Sequence, residues 1–154
     1  MDKYRIKDLQ GRQHFNDDFP GIYYTAGTEG QYDQADIMLT AITHPDRIYL
    51  GEIKDYTLNG YMRDYYKFSN YQIDYNKIHY LVTEGKKDGR IPFLYVRFHD
   101  WTFVWRLDTI PYDERKRPVL TNDDGQNYGA SKSVTWQTYL YANEAVWKKK
   151  TNKD

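Results

Sequence analysis

The spacing of apolar positions changes along the chain, and each change marks an element. Over residues 3–19, Ile6, Leu9 and Phe15 give a ragged apolar face that predicts an opening helix. Gly11 weakens that helix, and Pro20-Gly21 ends it. Residues 22–25 make a short strand candidate, and 26–31, with two Gly, read as a turn. Segments 36–42 and 48–54 are rich in apolar and β-branched residues and predict two strands around His44-Pro45-Asp46-Arg47. Residues 56–68 are polar and aromatic, with Asn59-Gly60 as a hairpin signal. Asp74 is suited to cap a helix running to about Glu84, because Ile78, Leu81 and Val82 follow helical spacing and Gly85 supplies a stop. In 93–98 and 102–107, Leu94, Val96 and Phe98 alternate with Tyr95 and Arg97, which predicts a hairpin. The Pro-, Asp-, Asn- and Gly-rich stretch 111–131 reads as a long loop. A last strand is predicted over 134–141, then a short helix or tail through Trp147. The order helix, three strands, helix, two or more strands defines a mixed α/β domain with helices packed on a central sheet.

Composition narrows this picture. A chain of 154 residues suits a single domain, 1–154, with its core over about 3–107, a loop-rich 108–131, and a C-terminal strand and basic tail over 132–154. With 40% hydrophobic and 29% charged residues, the chain falls outside the disordered class. Tyr outnumbers Phe 17 to 6, and a Tyr ring can pack while its hydroxyl stays in water. Lys+Arg and Asp+Glu both total 22, a balance that weighs against a passive nucleic-acid coat. It does not weigh against an enzyme whose acidic ligands offset basic contacts. Lys148, Lys149 and Lys150 are expected on a solvated tail. The absence of Cys excludes disulfides and thiolate metal sites. No apolar run nears the ~20 residues of a membrane span, and no apolar stretch follows Met1–Arg5 as in a secretory signal, so a cytoplasmic protein is expected.

The chemistry concentrates in Leu50-Gly51-Glu52-Ile53-Lys54. Side chains alternate along a strand, so Glu52 and Lys54 share a face and Ile53 points the other way. If 36–42 and 48–54 pair through a four-residue turn near 44–47, Asp36 lies opposite one of residues 53 to 55, and Asp36, Glu52 and Lys54 converge. Two carboxylates and the Ile53 carbonyl are hard oxygen donors of the kind Mg²⁺ takes, with waters and a substrate phosphate completing its shell. Such a metal activates water and neutralises charge on a phosphate, while Lys54 can orient that water or stabilise the transition state. Glu-x-Lys alone is a weak signal, and Glu84-Gly85-Lys86 also fits it. That copy lies at a predicted helix end without strand context and is set aside.

Asp36 followed by Glu52-Ile53-Lys54 resembles the PD-(D/E)xK nuclease superfamily, which includes type II restriction enzymes and Holliday-junction resolvases; the likeness is greatest to its small bacterial and phage members. The resemblance implies a restriction-endonuclease-like αβββαβ core, a mixed sheet flanked by helices, over roughly residues 3–107. It implies Mg²⁺-dependent hydrolysis of DNA phosphodiester bonds, with Mn²⁺ as a substitute, Asp36 and Glu52 as metal ligands and Lys54 as the catalytic lysine. DNA is then the partner, a membrane is not, and a homodimer is compatible with paired cuts. The chain departs from the pattern in two places. Ala35 stands where the motif has proline, and no Glu precedes Glu29, so only Asp8, Asp17 or Asp18 can stand in for the acid often found on the first helix.

Further candidates are Gln72 and Lys77, since the helix after the Glu-x-Lys strand often adds a polar residue to such sites. Tyr56, Tyr61, Arg63, Tyr65, Tyr66 and Lys67 mix rings and cations in a stretch that can act as a DNA-contacting flap or pack as a hairpin. His14, His44, His79 and His99 show no zinc spacing. The four Trp residues read as core anchors. A non-catalytic nucleic-acid-binding domain and a Tyr-rich structural module are the competing functions, and a Lys54–Glu52 salt bridge is the expected signature of the latter.

Overall fold

The opening helix α1 (Lys3–Asp18) forms as its pattern predicts and runs through Gly11. Gly11 is buried against a strand, where a Cβ would lie 3.5 Å from Ile53 Cγ2 and 3.6 Å from Asp55 Cβ, ordinary van der Waals distances that leave room for an Ala. Phe15 is the buried anchor, whereas Leu9 is 47% exposed and does not belong to the inner face.

The computed structural model describes residues 3–27, 37–41, 46–57, 70–122 and 132–151. After α1 come β1 (Ile22–Gly27), β2 (Ile37–Ala41), β3 (Ile48–Asp55), β4 (Tyr71–Asp74), α2 (Tyr75–Asp88), β5 (Ile91–Arg97) and β6 (Trp101–Arg106). Then follow β7 (Arg117–Asn122), β8 (Lys132–Leu140) and β9 (Trp147–Lys150), with short 3₁₀ turns between. Six strands form a mixed sheet in the order β1-β2-β3-β5-β6-β9. Its neighbours are antiparallel except β3 and β5, which run parallel and are connected through α2. A second, antiparallel sheet has the order β4-β8-β7.

The helix α2 begins where Asp74 accepts from the Asn76 backbone N–H at 2.9 Å. It runs past Gly85, the expected stop, and ends at Gly89 in the left-handed conformation (φ 66°). Gly85 is buried inside the helix, where a Cβ would press within 2.9 Å of the Arg90 carbonyl oxygen.

The mixed sheet is buried on both faces, which is why β5 is nearly continuously apolar. On one side Phe15 packs with Phe93 and Tyr95 under α1. On the other, Leu50, Leu94, Val96, Phe103 and Trp105 pack against α2 and the second sheet through Ile78, Leu81, Tyr71 and Leu140.

Three expectations change. The stretch 111–131 is not all loop, because Arg117–Asn122 is strand β7. Pro118 is tolerated there since β7 is an edge strand with one unpaired side. Lys148–Lys150 are not a tail but lie in β9, paired to β6 at the sheet edge, where lysines discourage further strand addition. Finally, β2 pairs with β3 in the register Ile37↔Gly51 to Thr40↔Ile48, so the connection is longer than the expected four-residue turn.

Candidate active site on strand β3

Strand alternation sends Leu50, Glu52 and Lys54 toward α2, and Gly51, Ile53 and Asp55 toward α1. Glu52 is only 6% exposed. Its Oε1 lies 3.5 Å from Lys54 Nζ and 3.5 Å from Lys77 Nζ, the latter reaching over from the first turns of α2. Its Oε2 is buried and has no hydrogen-bond partner among the described residues. A buried carboxylate oxygen without a partner is costly, and a bound water, an ion or a catalytic role is what ordinarily compensates it. Glu52, Lys54 and Lys77 therefore converge, as sequence spacing anticipated for the first two and allowed for the third. Ile53 lies between them in the strand, its half-buried side chain packed against the α1-side cluster.

Asp36 lies outside the described residues. It directly precedes Ile37, whose Cα partner is Gly51, the residue before Glu52. That differs from the expected register, in which Ile37 would have faced a residue one to three places further along β3. Among the described residues, no group of three or more His, Asp or Glu is placed to hold a metal ion.

Asp17 and Asp18 do not reach this face. Asp18 accepts from Tyr95 Oη at 2.6 Å and pairs with Lys149, both on the α1 side. Asp17 is exposed and accepts from Gln13 Nε2 at 2.9 Å. The Asp8 side chain lies outside the description. Burial, reinforced by the hydrogen bond to Asp18, pushes the Tyr95 phenol far above its usual range.

Other candidates resolve individually. Gln72 is not on α2 but exposed on β4, where Tyr71 and Ile73 point inward. Tyr56 is no free flap residue: it stacks on Phe98 at 5.5 Å and shares a 2.7 Å hydrogen bond with Tyr71 Oη. Tyr61, Arg63, Tyr65, Tyr66 and Lys67 lie outside the described residues. The second Glu-x-Lys copy is helical, as anticipated, and its Glu84 pairs with Lys87 at 3.1 Å.

Spacing gave no hint of a second polar cluster on the opposite face of β3. The Asp55 carboxylate sits 2.5 Å from His14 Nδ1 and accepts from the Thr57 backbone N–H at 2.9 Å and from Thr57 Oγ1 at 2.5 Å. Arg97 Nη1 donates to Thr57 Oγ1 at 2.6 Å. His14 and Asp55 are 41 residues apart; the only available signal was that Asp55, next to Lys54, must point toward the first helix.

No known protein family, characterised protein or solved structure matches this chain. Among the described residues no helix is long and apolar enough to cross a membrane.

Proposed function

We propose that this protein is a Mg²⁺-dependent nuclease of the restriction-endonuclease-like type, hydrolysing DNA phosphodiester bonds in repair, recombination or phage and mobile-element biology. The observation that carries the reading is Glu52: a buried carboxylate with one oxygen held by two lysines and the other without a partner among the described residues. The order α1, β1, β2, β3, α2, β5, with β3 and β5 parallel, supports an αβββαβ core in which β4 is an insertion.

The donor set fits a hard divalent cation, with Glu52, Asp36 and the Ile53 carbonyl as proposed ligands. When bound, Mg²⁺, or Mn²⁺ in its place, neutralises charge on the phosphate and lowers the pKa of a coordinated water. Lys77 fixes the Glu52 carboxylate from α2, which keeps its geometry independent of any loop. Lys54 holds an ammonium beside the carboxylate, where it can steady the attacking water and the charge that grows on the phosphate. DNA is the proposed partner, and cuts on both strands would be served by a homodimer.

The test is cleavage of supercoiled, linear, branched and single-stranded DNA in Mg²⁺ or Mn²⁺. The wild type is compared with Lys54→Ala, Asp36→Asn and Glu52→Gln. Cleavage by the wild type alone is expected; equal residual cleavage by all four proteins would refute the reading.

A second reading is favoured by one observation, the Lys54–Glu52 contact at 3.5 Å. It makes the charges a structural device in a Tyr-rich binding module, or in a nuclease-like domain that holds nucleic acid without cutting it.

A further inference from the structure

On the α1 side of the mixed sheet, at the end of β3 remote from Glu52, lies a cavity of about 430 Å³. Its walls are rings: Phe15 and Phe19 from α1 and the turn after it, Phe93 from β5, and Trp147 from β9. Phe15 and Phe93 stack with centroids 5.7 Å apart, and Phe19 and Trp147 meet at 4.7 Å. Two lining residues are cationic, Arg47 and Arg106, and none of the described lining residues is acidic. Arg106 is committed to Asp108 through bonds of 2.7 and 3.1 Å. Arg47 is exposed and pairs with no carboxylate among the described residues.

We infer that this cavity binds a small molecule with a flat or aliphatic apolar body and a single anionic group, the anion held by Arg47. The volume falls within the range of small-ligand pockets, about 300–1,000 Å³. An apolar lining with one cation that lacks an acidic partner among the described residues selects such an amphiphilic anion over a neutral apolar body, which would forgo the guanidinium, and over a highly charged one, which would lose its hydration without enough donors to replace it. The rings of Phe15 and Phe93, and of Phe19 and Trp147, are already packed in pairs and line the cavity with fixed apolar surface against which a planar body can lie. Glu52 faces the other side of the sheet, so this site stands or falls independently of the nuclease reading.

The probe is 8-anilinonaphthalene-1-sulfonate, a flat apolar monoanion, titrated by fluorescence against the intact chain, with N-phenyl-1-naphthylamine as its neutral counterpart. Saturable one-to-one binding is expected, about tenfold weaker for the neutral probe and for Arg47→Glu, the effect of losing one charge-assisted contact. Val104→Phe, which fills the cavity from β6, is expected to abolish it. Circular dichroism and thermal melting check that both variants remain folded, and Arg47, at the surface, is the safer of the two. Multiple weak binding that Arg47→Glu leaves unchanged would overturn the inference. So would equal affinity for the neutral probe, or a dimer in sedimentation that both substitutions dissociate.

Discussion

Replacing Glu52 by Gln separates a working carboxylate from a structural one. Each Lys–Glu contact at 3.5 Å is worth about 5 kcal/mol of Coulomb attraction at an effective dielectric of ~20. The two ammonium groups lie at most 7.0 Å apart, since each is 3.5 Å from the same oxygen, and they repel by about 2 kcal/mol or more. The net gain of at most about 7 kcal/mol faces the desolvation of a nearly buried carboxylate, several kcal/mol, with a further share for two partly buried lysines. The balance is near zero. A neutral Gln of the same shape removes the desolvation cost and keeps an acceptor, while both lysines can turn outward to water. The stability change is therefore expected within about 1 kcal/mol of wild type, a shift of roughly 2–4 °C in Tm for a chain of this size. DNA cleavage is expected to fall at least about a hundredfold, as for the loss of a preorganised charged group at a reacting centre. Differential scanning fluorimetry and a plasmid-nicking assay on the same preparation read both quantities. A loss above about 3 kcal/mol, the usual result of breaking a structural buried pair, would refute the reasoning and favour the second reading.

Further outcomes follow from the same structure. Gly51→Ala drives a Cβ into the Phe93 ring beneath α1 and should cost about 1–3 kcal/mol by overpacking, visible as a lower urea midpoint. Asp55→Asn keeps an acceptor for the Thr57 N–H and hydroxyl, which both donate to Oδ1, but puts an amide N–H in place of the Oδ2 that meets His14 Nδ1; a loss of about 1–3 kcal/mol is expected, with cleavage per folded molecule unchanged because Asp55 faces away from Glu52. The Arg115 guanidinium, donating at 2.7 and 2.6 Å, holds the Glu144 carboxyl below its usual 4.5. A depressed folded pKa gives stability that is full above the unfolded value and is lost as pH falls through the folded one, so Arg115→Gln should weaken the protein at pH 7 and flatten its Tm decline below pH 4.5.

The elements that sequence revealed are those whose local pattern and tertiary role agree. The β5–β6 hairpin alternates over its whole length, and α2 has both an Asp cap and a helical apolar face. Where pattern and role part, reading fails for identifiable reasons. Pro118 signals a loop, and only the edge position of β7 makes it acceptable in a strand. Three consecutive lysines signal solvent, and only Thr102 and Thr151, bonded at 2.8 Å inside the protein, show why the end of β9 is held at the β6 edge. Gly11 counts against a helix by propensity, yet α1 runs through it and packs there beside Ile53 and Asp55, so tertiary packing outweighs the local preference. The pairing of β2 with β3 depends on connection length, which no residue in 42–47 dictates, so it was the part of the site least open to inference.

Charge balance then limits what the proposed site can hold. The described side chains contribute one carboxylate and two ammonium groups, a net charge of +1, and Asp36, as the proposed second ligand, would bring the set to neutrality. Of the α1 acids, Asp18 is spent on Tyr95 and Lys149 and Asp17 on Gln13, and α1 itself covers the opposite face of β3. The first turn of α2 has no acidic residue and contributes Lys77 instead. One divalent cation on this set meets a phosphate diester and a hydroxide with charges that nearly cancel. A second cation would add two positive charges with no further carboxylate among the described residues to receive them, at a position already crowded by two ammonium groups. In the proposed chemistry Lys54 and Lys77 would therefore occupy the electrostatic place that a second metal takes in carboxylate-rich sites, and the described groups around Glu52 would suit one metal rather than two.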